Sequence, residues 1–435
     1  MACSLPPGLE RPDYVVVGAG IVGLATAYHV AGRCGGCSIL VVEKRHGPGH
    51  GDTGRSAAAF RAVFSSKLNV MLALSSIEYY MSVQRGGTDL GMLDLGYLFV
   101  LPEASVERFE KYASWLRELG VESRWFDAVF LEDAIGLRRR PGEEGELMGL
   151  PEVAKAVLFQ PAGVLRPERL VEHYAREAKE RGVSFLYGCE AKRLIVKPRP
   201  ELGVRGEPLP WQEGYVAGVE LASGAEVRPR EATIVAAGAE AYKLLEPIGV
   251  DPHFRPKKQR VYVVRAATGP LRRLLRAEGF NRHGFMPFVL LPRGVYVRPV
   301  PEENSFWTGG STRLGHPLAW EPDPQPEPWI YEYGVAPVLR SYLPAFAAAA
   351  SPDAAWAGFY DVSIDSRPVV HSPAEGLVVA GGTSGSGIMK ADAVGRAAAA
   401  LAEGADNVVL YGGRRVELWE LGLTRRRLEQ EELVI

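Results

Sequence analysis

The stretch Asp13-Tyr-Val-Val-Val-Gly18-Ala-Gly20-Ile-Val-Gly23 predicts a buried strand, a tight glycine turn and the first residues of a helix. In such a unit Gly18 permits the turn, Gly20 lets a phosphate approach the backbone, and Gly23 lets the helix lie close to the strand. The helix N-terminus then offers free N–H groups and a partial positive charge to a pyrophosphate. The residues expected to bind a dinucleotide here are Gly18, Gly20, Ile21, Val22 and Gly23.

A second strand follows this helix and ends in an acidic residue. The run Ser38-Ile-Leu-Val-Val-Glu43 is apolar up to Glu43, which lies 20 residues after Gly23 and precedes Lys44. An acid at this distance binds the ribose hydroxyls of an adenosine, so we expect Glu43 and Lys44 to border the cofactor. The alternative is a βαβ unit whose glycines serve packing only.

Length and composition exclude several classes of protein. The chain has 435 residues, which favours two or three domains or one large fold with an insertion. Hydrophobic residues make up 47% and charged residues 23%, as in an ordinary globular protein, and the net charge of −2 disfavours a general nucleic-acid binder. Four cysteines exclude a disulfide scaffold. The 39 arginines against 11 lysines fit a GC-rich genome and a thermophile equally.

One uncharged stretch, residues 14–32, approaches the length of a membrane-spanning helix. Its patterned glycines and its initial valines favour the dinucleotide-binding unit instead. Residues 1–12 lack the basic start and the apolar core of a secretory signal. We therefore expect a cytoplasmic protein without a transmembrane segment, and a peripheral membrane contact stays open.

The loop after the second strand is rich in small residues and carries two arginines. It runs His50-Gly-Asp-Thr53-Gly-Arg55-Ser56-Ala57-Ala-Ala-Phe-Arg61. Small residues let backbone N–H groups reach a ligand, and arginine neutralises a phosphate or binds a carboxylate. The candidates for contact with the cofactor are Thr53, Arg55, Ser56 and Ala57. The alternative is a flexible surface loop whose arginines are solvated.

Two further strands end in glycine. The first is Ala232-Thr-Ile-Val-Ala-Ala-Gly238, and the second begins the segment Gly376-Leu-Val-Val-Ala-Gly-Gly382-Thr-Ser-Gly-Ser-Gly387-Ile-Met-Lys390. In the second segment a helix follows the glycine turn and directs another helix N-terminus at a ligand. Glycine-ended strands spread from residue 18 to residue 387 imply one long cofactor bound by a discontinuous domain. NAD does not need the last segment, whereas FAD does.

Together these segments resemble the D-amino-acid oxidase superfamily of FAD enzymes, which includes glycine oxidase, sarcosine oxidase, dimethylglycine dehydrogenase and, most similar to this chain, dye-linked L-proline dehydrogenase. The strand Gly294-Val-Tyr-Val-Arg-Pro299 resembles the family's substrate-domain strand. The resemblance implies an α/β fold in which a Rossmann-like FAD-binding domain is interleaved with an antiparallel-sheet (α+β) substrate domain. It also implies FAD contacts from Ala191, Ala237, Gly238, Gly382, Gly385, Ser386, Gly387, Ile388 and Met389.

The resemblance also implies the limits of the domains. The FAD-binding domain would consist of residues 1–88, 151–252 and 350–410, and the substrate domain of residues 89–150 and 253–349. Residues 411–435 would form a helical C-terminal extension. The proline-rich residues 317–328 predict a surface loop.

Candidates for the substrate site follow from the same resemblance. Arg61 stands where sarcosine oxidases keep the arginine that binds the substrate carboxylate. Tyr296 and Arg298 lie two apart on one strand and hence on one face, which makes Arg298 a second candidate. The alternatives are a structural ion pair for Arg298 and ordinary packing for Tyr296.

Two further positions differ from the relatives. Tyr360 stands where glycine oxidase has its carboxylate-binding arginine, so that interaction is absent here. Lys390 is one residue beyond Met389, which occupies the position of a lysine in sarcosine oxidase. The Lys390 side chain therefore points either at the flavin or away from it.

Two residues that sarcosine oxidase has near its flavin, a lysine and a cysteine, are absent from the matching positions of this sequence. By counting, Trp307 occupies the position of a lysine that promotes the reaction of sarcosine oxidase with oxygen. Tryptophan supplies no charge, so we expect a dehydrogenase that passes electrons to a quinone or a carrier protein. No cysteine stands near Ala357-Gly358, where sarcosine oxidase attaches its FAD, so FAD should be bound non-covalently.

The expected reaction is the oxidation of an amino acid by hydride transfer from its α-carbon to flavin N5. L-Proline, with pyrroline-5-carboxylate as product, comes first, followed by sarcosine, glycine or a D-amino acid. A non-catalytic FAD-containing assembly factor is the alternative class, and a monomer or a homo-oligomer is compatible with the sequence. No metal site is expected, since Cys34 and Cys37 supply two ligands only; they form either a disulfide or two free thiols.

Overall fold

The computed structural model describes residues 5, 8–311, 314–349 and 351–433. The predicted domain limits at residues 1, 350 and 435 lie outside the described residues. The α-helices are α1 Ile21–Cys34, α2 Lys67–Arg85, α3 Glu103–Glu118, α4 Ala128–Ile135, α5 Gly142–Leu147, α6 Pro167–Glu180, α7 Tyr242–Leu245, α8 Gly269–Leu275, α9 Ala336–Tyr342 and α10 Gly387–Ala402. The strands are β1 Tyr14–Val17, β2 Ile39–Glu43, β3 Ala59–Arg61, β4 Tyr97–Leu101, β5 Glu122–Asp127, β6 Lys155–Gln160, β7 Ala162–Val164, β8 Ser184–Tyr187, β9 Ala191–Arg199, β10 Glu213–Leu221, β11 Glu226–Val227, β12 Ala232–Val235, β13 Phe254–Arg265, β14 Phe288–Leu290, β15 Val295–Val300, β16 Ser305–Gly310, β17 Ala354–Ser363, β18 Val369–Ala374, β19 Leu377–Gly381, β20 Asn407–Val409 and β21 Arg415–Glu417.

Strand β1 lies inside a six-stranded sheet in the order β18-β19-β12-β1-β2-β8. It pairs in parallel with both β2 and β12, and all of its residues are buried. Strands buried on both faces need continuous apolar sequence, which the valine run of β1 supplies. Since β2 and β12 lie on opposite sides of β1, the carboxyl ends of these strands border a crevice for a ligand. The predicted Rossmann-like unit is confirmed.

Helices α1 and α10 pack directly against each other. A Cβ at Gly395 of α10 would lie 2.6 Å from the carbonyl carbon of Ala25 in α1, so the two backbones touch at this glycine. Apolar residues of both helices and of β1, such as Leu24, Ala391 and Val16, belong to one buried core. Because α1 follows β1 and α10 follows the parallel strand β19, both helices begin at the same edge of the sheet.

A second, eight-stranded sheet has the order β17-β13-β16-β15-β14-β4-β6-β5. Its neighbours are antiparallel, as predicted for the substrate domain, except that β4 and β14 pair in parallel. The remaining strands form small sheets, among them β9 with β10 and β11, and β3 with β7.

Two strands of the second sheet, β6 and β17, lie beyond the limits predicted for the substrate domain. β6 pairs with both β4 and β5, and β17 pairs with β13 from Ala354 to Ser363. The first part of the substrate sheet therefore extends to residue 160, and its second part, which begins at residue 254, extends to residue 363. Both strands are apolar runs whose choice of sheet depends on tertiary pairing, which local sequence does not specify.

The region predicted as a helical extension, residues 411–435, contains short 3-10 turns at Tyr411–Gly413 and Leu418–Glu420 in its described part. Among the described residues after 402 there is no α-helix, and β20 pairs with β21 across a turn at Gly412 and Gly413. Both glycines have positive φ, +78° and +80°, which suits a hairpin and interrupts a helix. The apolar residues Val416, Leu418 and Leu421 are nevertheless buried, in a cluster with α10.

Cys34 at the end of α1 forms a disulfide with Cys37. In the described ranges, none of the helices combines the length and the apolar composition that crossing a bilayer requires.

A buried carboxylate of α10, Asp392, connects this helix to its neighbours. Nε2 of His29 in α1 lies 2.7 Å from its Oδ1, the Tyr174 hydroxyl of α6 donates to the same oxygen at 3.0 Å, and Nε of Arg396 donates to Oδ2 at 2.6 Å. We predict that Asp392→Ala lowers the free energy of unfolding in urea by about 3–5 kcal/mol, because it leaves buried polar groups without their partner.

The matched control is Glu403→Ala at the end of α10. It removes an exposed ion pair between the same two helices, in which Arg33 Nε lies 2.7 Å from Glu403 Oε2. Its expected cost is below about 1 kcal/mol. Equal losses for Asp392→Ala and Glu403→Ala would show that the buried network does not hold the helices together.

Candidate active site

The turn between β1 and α1 requires glycine at two positions. Gly18 has a φ of +107°, and a Cβ there would lie 2.5 Å from the carbonyl oxygen of Ala236. A Cβ at Gly23 would lie 2.0 Å from the Gly18 carbonyl oxygen, so α1 packs on the turn itself. At Gly20, by contrast, a Cβ would meet among the described residues only the Thr53 hydroxyl oxygen, at 3.4 Å. The open face of Gly20 is where a phosphate can reach the backbone.

Glu43 ends β2 beside this turn. Its carboxylate accepts hydrogen bonds from the Ala19 N–H at 2.7 Å and from the Arg45 N–H at 2.7 Å. Two backbone donors fix the direction of the carboxylate and leave lone pairs on its oxygens. The acid can therefore accept further hydrogen bonds from hydroxyl groups.

A long cavity follows the carboxyl ends of the parallel strands. Glu43 and Lys44 line it at β2, the first residues of α1 and α10 line it along the sheet, and Tyr296 lines it at the second sheet. The predicted cofactor residues that line it are Gly18, Gly20, Ile21, Val22, Glu43, Lys44, Thr53, Arg55, Ser56, Ala57, Ala237, Gly238, Gly385, Gly387 and Ile388.

A smaller cavity adjoins the long one and shares Tyr296 and Tyr360 with it. Its other walls include Phe64, Tyr97 and Phe288. Tyr97 and Phe288 are stacked with ring centroids 4.0 Å apart, and the centroid of Tyr296 lies 5.3 Å from that of Phe288. These rings give the cavity flat apolar surface, while serines, Arg61 and Glu431 give it polar walls.

Arg61, the last residue of β3, supplies a cation to this aromatic cavity. Its side chain is buried, with 5% exposed, and the guanidinium lies 4.4 Å from the Phe64 ring centroid. Nη2 donates to the Leu433 carbonyl oxygen at 2.8 Å, whereas Nη1 has no hydrogen-bond partner in the part of the chain that the structure describes. Burial lowers the pKa of Arg61. A buried, unpaired donor of this kind needs an acceptor, and a ligand carboxylate supplies one.

The family profile described as "DAO: FAD dependent oxidoreductase" matches residues 13–401. The chain belongs to this family. The predicted cofactor, FAD, and the predicted fold are thereby confirmed.

Relatives of this DAO-family oxidoreductase are similar over most of the chain. FAD-dependent oxidoreductase domain-containing protein 1 of Bos taurus is 29% identical over 425 residues, which cover 91% of this chain and 81% of the bovine protein. The crystal structure of L-proline dehydrogenase from P. horikoshii has a TM-score of 0.71 at 22% identity and covers 90% of this chain and 93% of its own. The crystal structure of glycine oxidase from Geobacillus kaustophilus has a TM-score of 0.67 at 20% identity. The match covers 96% of this chain and 100% of the glycine oxidase chain. At these identities the solved structures establish a common fold.

The residues present fit FAD at both ends of the long cavity. The glycine turn and Glu43 suit the pyrophosphate and the adenosine ribose. At the other end, the hydroxyl of Ser386, which precedes α10, donates to the Thr383 carbonyl oxygen at 2.5 Å and accepts no bond from the helix. The first N–H groups of α10 are thus left for a ligand, and they suit the electron-rich pyrimidine end of a flavin.

Five predicted cofactor residues do not line the long cavity. Gly23 and Gly382 serve packing, since a Cβ at Gly382 would lie 3.0 Å from Val369. Ser386 and Met389 line the smaller cavity instead. Ala191 lines neither cavity: it begins β9 and packs against a core cluster of the first sheet, so its contact with FAD stays a prediction.

Tyr296 and Tyr360 lie where the two cavities meet. Glycines make room for both rings: a Cβ at Gly309 would lie 2.6 Å from the Tyr296 hydroxyl oxygen, and a Cβ at Gly385 would lie 2.3 Å from the Tyr360 ring. Burial raises the pKa of both phenols. The two hydroxyls therefore stay protonated at neutral pH.

Arg298 and Lys390, the other predicted cations, line neither cavity. Nη2 of Arg298 donates to the Leu165 carbonyl oxygen at 3.1 Å, and its guanidinium lies 4.3 Å from the Trp307 ring centroid. Nζ of Lys390 donates to Oδ1 of Asn69 in α2 at 2.8 Å, so Lys390 points away from the long cavity. Nε of Arg298 has no hydrogen-bond partner among the described residues, and Nζ of Lys390 lies 4.0 Å from the ring centroid of Phe64, a wall of the smaller cavity. That either side chain contacts the substrate stays a prediction.

Trp307 lines neither cavity and packs against Trp356. It is 8% exposed, and its ring makes an edge-to-face contact with Trp356 at a centroid distance of 4.9 Å. The described residues that line the smaller cavity include no lysine.

Several residues that line the two cavities were not predicted from the sequence. The proline-rich loop, predicted as a plain surface loop, lines the long cavity with Trp320, Glu321, Pro322 and Pro324. Ion pairs from Lys258 to Glu321 at 2.6 Å and to Glu327 at 2.8 Å connect this loop to β13. The walls Phe64, Tyr97, Phe288 and Glu431 were also missed. Phe64 lies three residues after Arg61 and so had a local signal, whereas Glu431 had none.

We predict that Glu43→Ala weakens FAD binding about tenfold to a hundredfold, because hydrogen bonds to a charged acceptor are worth about 1.5–3 kcal/mol. The measurement is quenching of FAD fluorescence on titration with apoprotein. Glu226→Ala, at an exposed position in β11, is the matched control and should bind FAD as the unsubstituted protein does. Equal affinity of the Glu43→Ala and Glu226→Ala variants would exclude a role for Glu43 in FAD binding.

Acid precipitation of the yellow protein provides the apoprotein for this titration and tests the mode of attachment. Non-covalent binding predicts that the flavin stays in the supernatant. Flavin that remains with the precipitate would contradict it.

Proposed function

We propose that this FAD-dependent oxidoreductase oxidises a small amino acid, with L-proline as the first substrate candidate. The observation that supports the proposal is Arg61, a buried cation whose Nη1 is unpaired among the described residues at the wall of the smaller cavity. A substrate carboxylate is the strongest partner for such a group. Since the smaller cavity adjoins the cofactor cavity, a ligand bound at Arg61 lies beside FAD.

The chain's own residues bind and orient the substrate. FAD, when bound, would supply the oxidising chemistry, as the acceptor of the hydride that an amino acid loses in becoming an imine. Nη1 of Arg61 donates to the carboxylate and fixes the distance of the α-carbon from the cofactor. Tyr296 and Tyr360, both protonated, offer neutral hydrogen-bond donors at the junction of the cavities. The N-terminus of α10 stabilises negative charge on the neighbouring part of the cofactor.

The shape and polarity of the smaller cavity favour proline over smaller substrates. The stacked rings of Tyr97 and Phe288 and the ring of Tyr296 form one wall of flat apolar surface. The methylene groups of a proline ring gain from contact with such a wall, whereas glycine has no side chain to place there. Glycine and sarcosine are therefore ranked behind L-proline, and D-amino acids are ranked behind it on the resemblance to L-proline dehydrogenase alone.

We predict that Arg61→Met raises the half-saturating substrate concentration for flavin reduction by at least about tenfold, since a charge-assisted hydrogen bond of about 1.5–3 kcal/mol is lost. FAD content, read from the visible absorbance, should not change. The matched control is Arg298→Met, which removes a buried arginine outside both cavities. A tenfold rise in the Arg298 variant and none in the Arg61 variant would reverse the assignment; a rise in neither would exclude both.

We also propose that the enzyme is a dehydrogenase that delivers electrons to a quinone or a carrier protein. The support is the absence of lysine from the described walls of the smaller cavity and the packing of Trp307 away from it. The expected outcome is that an artificial dye is reduced much faster than oxygen under air. Peroxide formation that matches the rate of dye reduction would show that the protein is an oxidase.

A further inference from the structure

The last described residues of the chain return to the smaller cavity. Glu431 lines this cavity, and both Glu431 and Leu433 are buried, each with 4% exposed. Glu432 between them is exposed, and its carboxylate accepts a hydrogen bond from the Tyr112 hydroxyl at 2.6 Å. The segment thus turns two side chains inward and one outward.

Glu431 connects this segment to the start of α2. Its Oε1 accepts from the N–H of Ser65 at 2.5 Å, from the Ser65 hydroxyl at 2.8 Å and from the Leu433 N–H at 3.1 Å. Its Oε2 accepts from the N–H of Ser66 at 3.2 Å and from Nδ2 of Asn69 at 3.0 Å. Every one of these partners is a donor, so the site suits a carboxylate and no other side chain of this size.

The hydrogen bonds keep Glu431 ionised in spite of its burial. Burial alone would raise the pKa of the carboxyl group, but the bonds from Ser65 and Asn69 lower it below its usual range. The buried guanidinium of Arg61 and the buried amine of Lys390 both interact with this carboxylate, and burial lowers the pKa of Lys390. Glu431 is therefore a fixed negative charge next to the proposed substrate cation.

The carbonyl oxygen of Leu433 completes the connection to Arg61. It accepts from Nη2 at 2.8 Å and so occupies one side of the guanidinium. The other nitrogen, Nη1, is the one left without a partner among the described residues. The position of Leu433 thus decides which edge of Arg61 is available to a ligand.

We propose that Glu431 is a positioning residue of the substrate site: by fixing the C-terminal segment to Ser65, Ser66 and Asn69, it places the Leu433 carbonyl on Arg61 and holds Nη1 toward the cavity. This inference rests on the proposed role of Arg61. Release of the segment frees the guanidinium to rotate and opens the cavity to water, and both changes weaken the bond to a carboxylate.

The substitution Glu431→Gln tests the proposal, because it replaces one carboxylate oxygen by an NH₂ group. An amide presents hydrogens to at least one set of the donors that now face the carboxylate, so the segment should detach. Glu432→Gln is the matched control, because the same change at the exposed neighbour leaves an oxygen to accept from Tyr112. The probe is acetate, titrated into the FAD-loaded protein and followed by the visible absorbance of the flavin, with Arg61→Met as the reference for loss of the carboxylate site.

Detachment has its own readout in limited digestion by trypsin. Arg425 and Arg427, which precede the segment, are exposed, whereas Arg426 is buried and donates to Asp365 Oδ1 at 3.0 Å. In the Glu431→Gln variant we expect faster cleavage at these arginines and acetate binding weakened at least about tenfold. The Glu432→Gln variant should match the unsubstituted protein in both measurements.

Three results separate the possibilities. Acetate binding in Glu431→Gln equal to that of Glu432→Gln, with or without faster cleavage, overturns the positioning role and leaves the function of Arg61 intact. Equal acetate response, or none, in the unsubstituted protein and Arg61→Met overturns the proposed function itself. If Glu431→Gln does not fold, deletion of residues 431–435 takes its place, and unchanged acetate binding after that deletion overturns the proposal in the same way.

Discussion

Close contact between backbones at glycine is the constraint on which the rest of this structure depends. Gly23 lets α1 lie on the turn that follows β1, and Gly395 lets α10 lie on α1 at Ala25. A side chain at either position would separate the elements by several tenths of an ångström or more, which a close-packed interior does not absorb without loss of stability. These contacts bring the N-termini of both helices to one edge of the parallel sheet, and a cofactor long enough to reach both helices is bound there.

Beside this cofactor cleft, the small sheet of β3 and β7 carries the cation that we propose as the binding site for a small anion. Arg61 stands at the end of β3, which is paired with β7 and covered by Phe64, so its charge is removed from water. A buried guanidinium is costly unless acceptors surround it. Among the described residues the Leu433 carbonyl accepts from Nη2, and Nη1 of Arg61, a residue of the cavity wall, has no hydrogen-bond partner. The unsatisfied donor is thus an energetic reason for carboxylate binding.

Local signals in the sequence were sufficient for the cofactor half of the molecule and insufficient for the substrate half. The glycine turn, Glu43 and the start of α10 were predictable because each is specified within a strand–turn–helix unit. The sheet membership of β6 and β17 was not, since pairing across the chain decides it. Arg298 was expected at the cavity from its alternation with Tyr296, yet Trp307 and Leu165 hold it in the core. Glu431 lies 370 residues from Arg61, and no local pattern connects the two.

The central claim is that a carboxylate bound at Arg61 places the substrate beside FAD. Its most direct test is anaerobic mixing of the FAD-loaded protein with L-proline and, separately, with pyrrolidine, which has the same ring and nitrogen but lacks the carboxylate. We expect L-proline to bleach the flavin absorbance. Pyrrolidine at the same concentration should do so at least about a hundredfold more slowly, because without a carboxylate it is neither bound nor oriented by Arg61. Equally fast bleaching by pyrrolidine would show that carboxylate binding at Arg61 does not place the substrate.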